Sequence, residues 1–414
     1  MSPLNPVWAI ASVSAALICA LLPAKYIGVP PQSGRYVSID GLRGYAAFFV
    51  FLHHSAIWYF FLHSGVWSIP PSNLYAQFGQ GSVVLFFMIT GFLFSSKLIN
   101  AKLKPINWVD LYTSRFLRLV PLYILSVCIL FIIVFALSHF DLYSTPYHII
   151  SEIIQWLSFT IIGSPIINSI YYTKMIVASI YWSLPYEIFF YISLPILAIF
   201  ISSRPSSKCI KTSIVSLIIV FLLWHFPRRI LLLPFAFGIS TSFIVNNKYI
   251  SSIIRGNIGS VIALGSLFAD IVLYHTAYTF GAIFLLAIAF FIIAGGNTLF
   301  GIFSNRLSRM LGEISYSTYL LHGITLFITF KFIVGFTKAA TFSPLEHWLT
   351  ILCCTTFLIP FCSLTFYFIE APAMRAVPSA AKLAKRVLAR PAPLGRSILT
   401  SKLDAVSQVP PGEL

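Results

Sequence analysis

The chain has 414 residues, of which 58% are hydrophobic and only 9% are charged. A soluble domain of this length could not bury so much apolar surface, so the composition predicts an all-α polytopic membrane protein. The net charge of +16 does not indicate nucleic-acid binding. The basic residues lie between apolar runs and in the tail, where the positive-inside rule places them.

Apolar runs divide the chain into a leading span and a core of further spans. The leading run covers residues 7–24 and has no basic residue before it, so it predicts a membrane span with an outer N-terminus rather than a cleaved signal peptide. With its cytoplasmic linker it forms the segment 1–37. About ten core spans are predicted within a membrane domain at 38–375, namely 44–63, 80–96, 119–138, 180–200, 212–226, 229–245, 257–275, 278–295, 311–334 and 346–369.

Charges between the runs set the predicted orientation. The loop 97–118 carries five basic residues and one acidic residue, which places it in the cytoplasm. The segment 149–167 is apolar but interrupted by Glu152 and Pro165, so it predicts a re-entrant or interfacial segment rather than a span. The tail 376–414 is basic and rich in Ala and Pro, which predicts a disordered cytoplasmic segment at the lipid surface.

Two ionisable residues share one face of the predicted helix that begins near Ser38. Arg43 and His54 are eleven residues apart, which is close to a whole number of helical turns and roughly 16 Å along the axis. Polar groups at this depth are costly in a membrane and therefore indicate function. The alternative is a snorkelling arginine and a structural histidine. His53 points about 100° away from this face.

Arg115 and Arg118 begin the span that follows the cytoplasmic loop. Their spacing of three puts both guanidinium groups on nearly one helix face. Two forked guanidinium groups suit a phosphate or pyrophosphate, because each can bind two oxygen atoms. Ordinary positive-inside anchoring is the alternative reading.

Two further ionisable residues lie inside later spans. Glu187 stands in the aromatic run YWSLPYEIFFY, where a carboxylate is expensive unless it is paired. It could form a structural ion pair, orient a catalytic imidazole or hold a substrate hydroxyl. His322 stands in LGEISYSTYLLHG, and is equally compatible with a site residue and with a hydrogen bond between helices.

The combination of these residues suits acyl transfer from a coenzyme A thioester. Phosphate-binding cations lie on the cytoplasmic side, and a histidine lies at mid-depth on the same face as one of them. The separation is comparable to a phosphopantetheine arm. His54 would then act as the general base towards an acceptor hydroxyl, or carry the acyl group as a nucleophile.

The sequence resembles the membrane acyltransferase-3 family, which includes bacterial O-acetyltransferases of O-antigen, capsule and nodulation-factor sugars. The resemblance extends from about Ser38 to Arg375. It rests on six motifs in order: IDGLRGYAAFFVFLHH, GSVVLFFMITGFLFSSKL, RFLRLVPLY, YWSLPYEIFFYISLPIL, LGEISYSTYLLHG and YFIEAPAMR.

The resemblance implies roles for the same residues. Arg43, Arg115 and Arg118 match positions implied to hold the phosphates of acetyl-CoA. The implied catalytic residues are His54, Glu187 and His322. The implied acceptor is a glycan or lipid-linked sugar, and the implied location is the bacterial inner membrane with the tail in the cytoplasm. Acyl transfer from a thioester is downhill, so no metal or redox cofactor is expected.

Two other classes remain compatible with the composition. A polyprenyl-sugar flippase would move its substrate without coenzyme A, but the sequence has no internal repeat of the kind that many transporters carry. A lipid or sterol sensor would use the buried polar groups only to hold helices together. Neither class accounts for a cytoplasmic arginine pair near a helix face that carries Arg43 and His54.

Overall fold

The computed structural model describes residues 2–29, 36–100, 106–201, 213–214, 216–217, 228–245 and 253–389. Within these ranges the regular structure is entirely helical, with no β-strand. The predicted all-α class is therefore confirmed for the described part of the chain.

Helices of very different length make up the described ranges. The α-helices are α1 (Pro6–Cys19), α2 (Leu21–Tyr26), α3 (Val37–Ser64), α4 (Asn73–Asn100), α5 (Trp108–Leu137), α6 (Pro146–Leu157), α7 (Thr173–Ile176), α8 (Leu184–Ile201), α9 (Leu233–Ile244), α10 (Asn257–Leu273), α11 (Phe280–Ala294), α12 (Arg306–Glu313), α13 (Ser315–Ile328), α14 (Phe336–Ala339), α15 (Pro344–Thr365), α16 (Ala371–Arg375) and α17 (Val377–Ala389). Short 3₁₀ segments at Ile180–Ser183 and Arg229–Leu232 precede α8 and α9. π-Helical segments at Thr329–Ile333 and Phe366–Glu370 follow α13 and α15.

Only part of the predicted span count is recovered. Six described segments are long and apolar enough to cross a membrane, namely Pro6–Tyr26, Val37–Ser64, Asn73–Asn100, Trp108–Leu137, Ile180–Phe200 and Pro344–Arg375. Shorter apolar segments at Arg229–Ile244, Asn257–Leu273 and Phe280–Ala294 coincide with three further predicted spans. The predicted span at 212–226 lies almost wholly outside the described residues. The multi-pass architecture is supported, whereas the count of ten is not confirmed.

Close glycine contacts set the position of α3 against α12. A Cβ atom on Gly44 would lie 2.6 Å from the backbone nitrogen of Gly312. A Cβ on Gly312 would in turn collide with the Asp40 carbonyl, and one on Gly41 with the backbone of Phe303. The absence of side chains at these crossings lets the two backbones touch. This crossing fixes the position of Arg43 along α12, the helix that precedes α13.

The leading span packs against the last one. The rings of Trp8 and Trp348 stack with their centroids 6.2 Å apart. The indole of Trp348 donates a hydrogen bond to the Pro3 carbonyl at 2.8 Å, and the Tyr75 hydroxyl donates to the Asn5 carbonyl at 3.1 Å. The predicted leading span is therefore docked onto the bundle rather than separate from it.

The ambiguous segment before α8 folds as a connection with a short helix. Helix α6 has 12 residues, roughly 18 Å, which is too short to cross a bilayer. Asn168, in the turns after α6, ties them to the segment before α6, because its side chain accepts from Tyr143 N at 2.7 Å and donates to the Asp141 carbonyl at 2.8 Å. Its own backbone N–H donates to Glu152 at 3.0 Å. The prediction that this segment does not span is consistent with these lengths.

The prediction of a disordered tail is wrong for its first part. Residues Val377–Ala389 form α17, which packs against the start of α5. Lys385 and Asp110 form an ion pair of 2.6 Å between the two helices. The segment is rich in the helix formers Ala, Leu, Lys and Arg, so helix propensity prevails over the compositional signal of disorder. Residues 390–414 lie outside the described part of the chain.

Candidate functional site

A cleft of about 820 Å³, including its open mouth, lies between α3, α4, α5, α8 and α13. Aromatic and aliphatic side chains form most of its wall. Its charged and polar lining includes Arg43, Thr90, Arg115, Arg118, Glu187 and Tyr191. Four residues that the sequence marked as candidates therefore come together in one cavity.

Arg43 reaches the cleft from the N-terminal part of α3. Its Nη2 donates a hydrogen bond to the Gly312 carbonyl at 3.1 Å. Its Nη1 lies 3.7 Å from the carboxylate of Asp40, one turn earlier on the same helix. The side chain is 14% exposed, so its charge is held largely away from bulk solvent and its direction is set by these two contacts.

Arg115 and Arg118 enter the cleft from α5. The guanidinium carbon of Arg115 lies 5.2 Å from the centroid of the Phe94 ring, in a cation–π contact. Arg118 Nη1 lies 3.7 Å from the sulfur atom of Met374 on α16. The predicted spacing of three puts both groups on the cleft side of α5. With Arg43, they supply three cations that could hold an anionic ligand.

Glu187 lies in the cleft among hydroxyl groups rather than against a histidine. Its two carboxylate oxygens accept hydrogen bonds from the Thr90 hydroxyl and the Tyr191 hydroxyl, each at 3.4 Å. Arg115 also interacts with it electrostatically. No hydrogen bond joins Glu187 to His54 in the described residues. No direct contact among the described residues therefore supports the prediction that Glu187 orients an imidazole.

His54 is paired with His322. The distance from His322 Nε2 to His54 Nδ1 is 3.0 Å, and both side chains are buried. His54 Nδ1 is also 2.9 Å from the Val50 carbonyl, and His322 Nδ1 is 3.0 Å from the Thr318 carbonyl. The two histidines lie on different helices, α3 and α13. A local sequence pattern therefore could not predict that they pair.

One assignment of tautomers satisfies these contacts of the neutral pair. Backbone carbonyls only accept, so His322 carries its proton on Nδ1, where it donates to Thr318. Its Nε2 then accepts from His54 Nδ1–H, which is shared with the Val50 carbonyl. Nε2 of His54 is left unprotonated, which is the state that a general base requires.

Tyr319 separates the cleft from the histidine pair. It lines the cleft, and its ring centroid lies 6.3 Å from that of His322. Its hydroxyl is 2.7 Å from the Ser183 hydroxyl and donates to the Ile180 carbonyl at 3.2 Å. Neither His54 nor His322 is among the described residues that line the cleft. The structure therefore forms two adjacent groups, the arginine cleft and the histidine pair, with Tyr319 and Ser183 between them.

Sequence reasoning missed several residues of this region. Ser183, Tyr319 and Glu370 all belong to motifs that carried the family resemblance, yet no role was inferred for them. Ser183 and Tyr319 are ordinary hydroxyl residues in predicted spans, so only the contact between the 3₁₀ segment Ile180–Ser183 and α13 marks them. Of the three, only Glu370 could have been singled out from the sequence, because a carboxylate at the end of an apolar run indicates a functional position.

No group of three or more His, Cys, Asp or Glu side chains is placed to hold a metal ion in the ranges that the structure describes. The three arginines of the cleft are suited to an anionic small-molecule ligand. Guanidinium groups favour phosphate oxygens over neutral ligands.

The helical multi-pass fold indicates an integral membrane protein. The cleft with its charged side chains is its candidate active site. The model of the acyltransferase-3 family, described as an acyltransferase domain, matches residues 36–367, so the chain belongs to that family. It is therefore a membrane acyltransferase, and the resemblance found in the sequence is confirmed. Neither a curated protein nor a solved structure gave a match to the chain.

Proposed function

We propose that this acyltransferase moves an acetyl group from cytoplasmic acetyl-CoA to a hydroxyl of a cell-surface or lipid-linked glycan. The proposed location is the bacterial inner membrane, with the C-terminal tail in the cytoplasm. One observation carries the proposal: three arginines converge on a cleft that lies directly beside a buried pair of hydrogen-bonded histidines.

The cleft supports the donor half of the proposal. Arg43, Arg115 and Arg118 would hold the phosphates of the donor, since guanidinium groups bind phosphate in a bidentate manner. The apolar wall beside them suits the rest of the donor. Arg43 and His54 lie on one uninterrupted helix, roughly 16 Å apart along its axis. A phosphopantetheine arm can cover such a distance.

In the proposed reaction, His54 Nε2 takes the proton of the acceptor hydroxyl as the oxygen attacks the thioester carbonyl. The carbon–sulfur bond then breaks, and the proton passes from His54 to the departing thiolate of coenzyme A. No net proton is released or consumed. His322 would accept from His54 Nδ1–H throughout and would stabilise the imidazolium that forms in between.

Glu187 is proposed to hold a substrate group rather than to orient His54. Its carboxylate faces the cleft and is held by Thr90 and Tyr191. A hydroxyl or amide N–H of a bound substrate could donate to it. A polyprenyl-sugar flippase, the alternative function, would need no thioester chemistry, and membership of an acyltransferase family favours the enzyme.

Acetylation of the cell's surface polysaccharide would test this function. A deletion strain complemented with the wild-type gene is expected to regain the acetyl signals in the proton NMR spectrum of that polysaccharide. The position of the acetyl group would identify the modified hydroxyl. If the complemented and deletion strains give the same acetyl signals, the proposed acceptor is incorrect and the flippase becomes the stronger candidate.

Replacing both Arg115 and Arg118 by lysine should raise KM for acetyl-CoA by about tenfold or more, with a smaller effect on kcat. Lysine keeps the charge but loses the two-pronged geometry that fits a phosphate. The measurement is a steady-state titration of acetyl-CoA with the purified protein. Arg375→Lys is the matched control, because this exposed arginine lies outside the cleft. An unchanged KM in the double variant would assign the arginines to membrane anchoring.

A further inference from the structure

A second cavity of about 1200 Å³, including its open side, lies between α5, α13 and α15. We call it the lateral groove. Its walls include Ile129 of α5, Ile324 and Ile328 of α13, and Leu349 and Phe357 of α15. Leu349 and Phe357 are exposed, so the groove opens on the outside of the bundle, where lipid surrounds a membrane protein.

The few hydroxyl groups of the groove are satisfied within their own helices. Thr325 donates to the Leu321 carbonyl at 3.0 Å, Thr329 to the Thr325 carbonyl at 2.9 Å, and Thr350 to the Glu346 carbonyl at 2.9 Å. These side chains therefore turn mainly their methyl groups towards the cavity. Such a surface suits a hydrocarbon chain, because a polar ligand would lose its hydrogen bonds to water without replacement.

One end of the groove reaches the histidine pair. Thr325 lines the groove and follows His322 by three residues on α13, which is less than one helical turn, roughly 5 Å along the axis. The arginine cleft reaches the same histidine from another side, through Tyr319. His322 and its partner His54 thus lie between two cavities of opposite chemistry, one cationic and one apolar.

A lysine lies on the turn that forms the other end of this wall. Thr329 and Ile333 line the groove and bound a π-helical turn, a feature that often marks a functional position, and Lys331 lies midway between them. Lys331 Nζ lies 5.3 Å from the centroid of the Tyr172 ring and 4.8 Å from that of Phe336. Lys331 forms no ion pair with the residues that the structure describes.

The depth of Lys331 indicates an anionic partner. Helix α13 begins beside the arginine cleft, and Lys331 lies fifteen residues beyond Tyr316, roughly 20 Å further along the axis. In the predicted orientation the arginine cleft faces the cytoplasm, so Lys331 lies near the outer surface. The positive-inside rule does not account for a lysine there, whereas the anionic head of a lipid does.

We propose that the lateral groove binds the hydrocarbon chain of a polyprenyl phosphate-linked sugar, with Lys331 at its phosphate, and that this lipid is the acyl acceptor. The inference rests on the proposed function and narrows its acceptor to a lipid-linked sugar. A hydrocarbon chain, an anion and a hydroxyl-bearing group are what the groove, Lys331 and the histidine pair would each bind. Lys331 follows His322 by nine residues, roughly 13 Å along the axis, a distance that the first sugars can cover.

Thr350→Trp should weaken the binding of a long-chain polyprenyl phosphate by about tenfold or more. An indole at this position occupies the groove and displaces at least two methylene groups of the chain, each of which contributes about 0.8 kcal/mol when buried. Native mass spectrometry of the purified full-length chain, titrated with the lipid in detergent, measures the change.

Thr356→Trp is the matched control. Thr356 lies on the same helix, is exposed, and is not one of the residues that line the groove. Its hydroxyl also donates to a backbone carbonyl of its own helix, that of Cys353, at 2.8 Å, so both variants lose the same kind of hydrogen bond. Equal affinity in the two tryptophan variants would overturn the proposal.

Lys331→Gln tests the head group separately. It should weaken binding of the polyprenyl phosphate by about fivefold, as expected for one lysine at a lipid surface, and should leave binding of the uncharged polyprenol unchanged. Lys338→Gln, at an exposed position on α14, is the control. If Thr350→Trp does not accumulate, this pair decides the outcome, and equal binding by the two glutamine variants overturns the proposal.

Two further results separate the occupant from other lipids and from the proposed function. Phosphatidylglycerol that displaces the polyprenyl phosphate at equal concentration would make the groove a general lipid site and overturn the proposal. These titrations contain no acetyl-CoA, so they do not depend on acyl transfer. If Thr350→Trp weakens lipid binding but the complemented strain regains no acetyl signal, the groove binds the lipid and the proposed function fails alone. A raised KM for the lipid-linked acceptor with an unchanged KM for acetyl-CoA supports both.

Discussion

His54→Ala should abolish acetyl transfer while the protein remains in the membrane at its normal level. The substitution removes the unprotonated Nε2 that would accept the proton of the acceptor hydroxyl. Loss of a general base costs about 10²- to 10⁴-fold in rate. The measurements are acetyl signals of the surface polysaccharide by NMR and membrane levels by immunoblot, both in a complemented deletion strain.

His53→Ala is the matched control for this substitution. His53 is the adjacent residue on the same helix, is equally buried, and has its own hydrogen bond to the Tyr75 carbonyl at 2.7 Å. It does not contact His322 through a described hydrogen bond. Both variants lose a buried imidazole, so comparable loss of activity in the two would point to a packing role. Full acetylation in the His54→Ala strain would remove His54 from the mechanism.

His322→Gln should lower the rate less severely than His54→Ala. The substitution removes the imidazole nitrogen that holds His54 Nδ1–H, so His54 would adopt its productive tautomer less often. The ring of His54 itself stays in place.

Gly44→Val should destabilise the folded protein and lower its Tm clearly. The first atom of any side chain at this position would lie 2.6 Å from Gly312 N and 2.7 Å from Leu311 Cβ. Helices α3 and α12 would have to separate, and the contact between Arg43 and the Gly312 carbonyl would be lost with them. Overpacking of a close core contact costs about 1–3 kcal/mol, and a backbone clash of this kind lies at the upper end.

Thermal unfolding of the purified protein, followed by intrinsic fluorescence, would measure the loss. Gly265→Ala is the control, because no atom lies within 4 Å of a Cβ built there. That substitution should leave Tm unchanged or raise it slightly, since alanine favours a helix over glycine. A Gly44→Val protein with the same Tm as the wild type would show that the two helices can move apart without cost.

Relations within one helix could be predicted from the sequence, because helix geometry fixes them. Arg43 and His54 lie on one uninterrupted helix, and both contact the segment that runs from α12 into α13, through Gly312 and His322 respectively. The spacing of Arg115 and Arg118 likewise gave their common face. The all-helical class could also be predicted, because long apolar runs are a local property of the sequence.

Relations between helices could not be predicted in this way. No local pattern shows that His322 is the partner of His54, or that Thr90 donates a hydrogen bond to Glu187. The span count depended on segments such as α9, which has 12 residues and is shorter than a membrane-crossing helix. The tail was misread because its Ala-rich composition suits both disorder and a surface helix, and only the packing of α17 on α5 decides between them.

The docking of the leading span on the last one constrains how the protein assembles. Trp8 on α1 stacks on Trp348 on α15, so this contact forms only after α15 has been inserted. Until then, the Trp8 ring lacks this stacking partner, and the Pro3 carbonyl lacks the Trp348 indole N–H that later donates to it. Packing of α1 against α15 is therefore a long-range event that depends on the synthesis of α15. A ribosome that stalls before α15 would leave α1 without its tryptophan contact to the last span, an exposed surface that membrane quality control could recognise as unfinished.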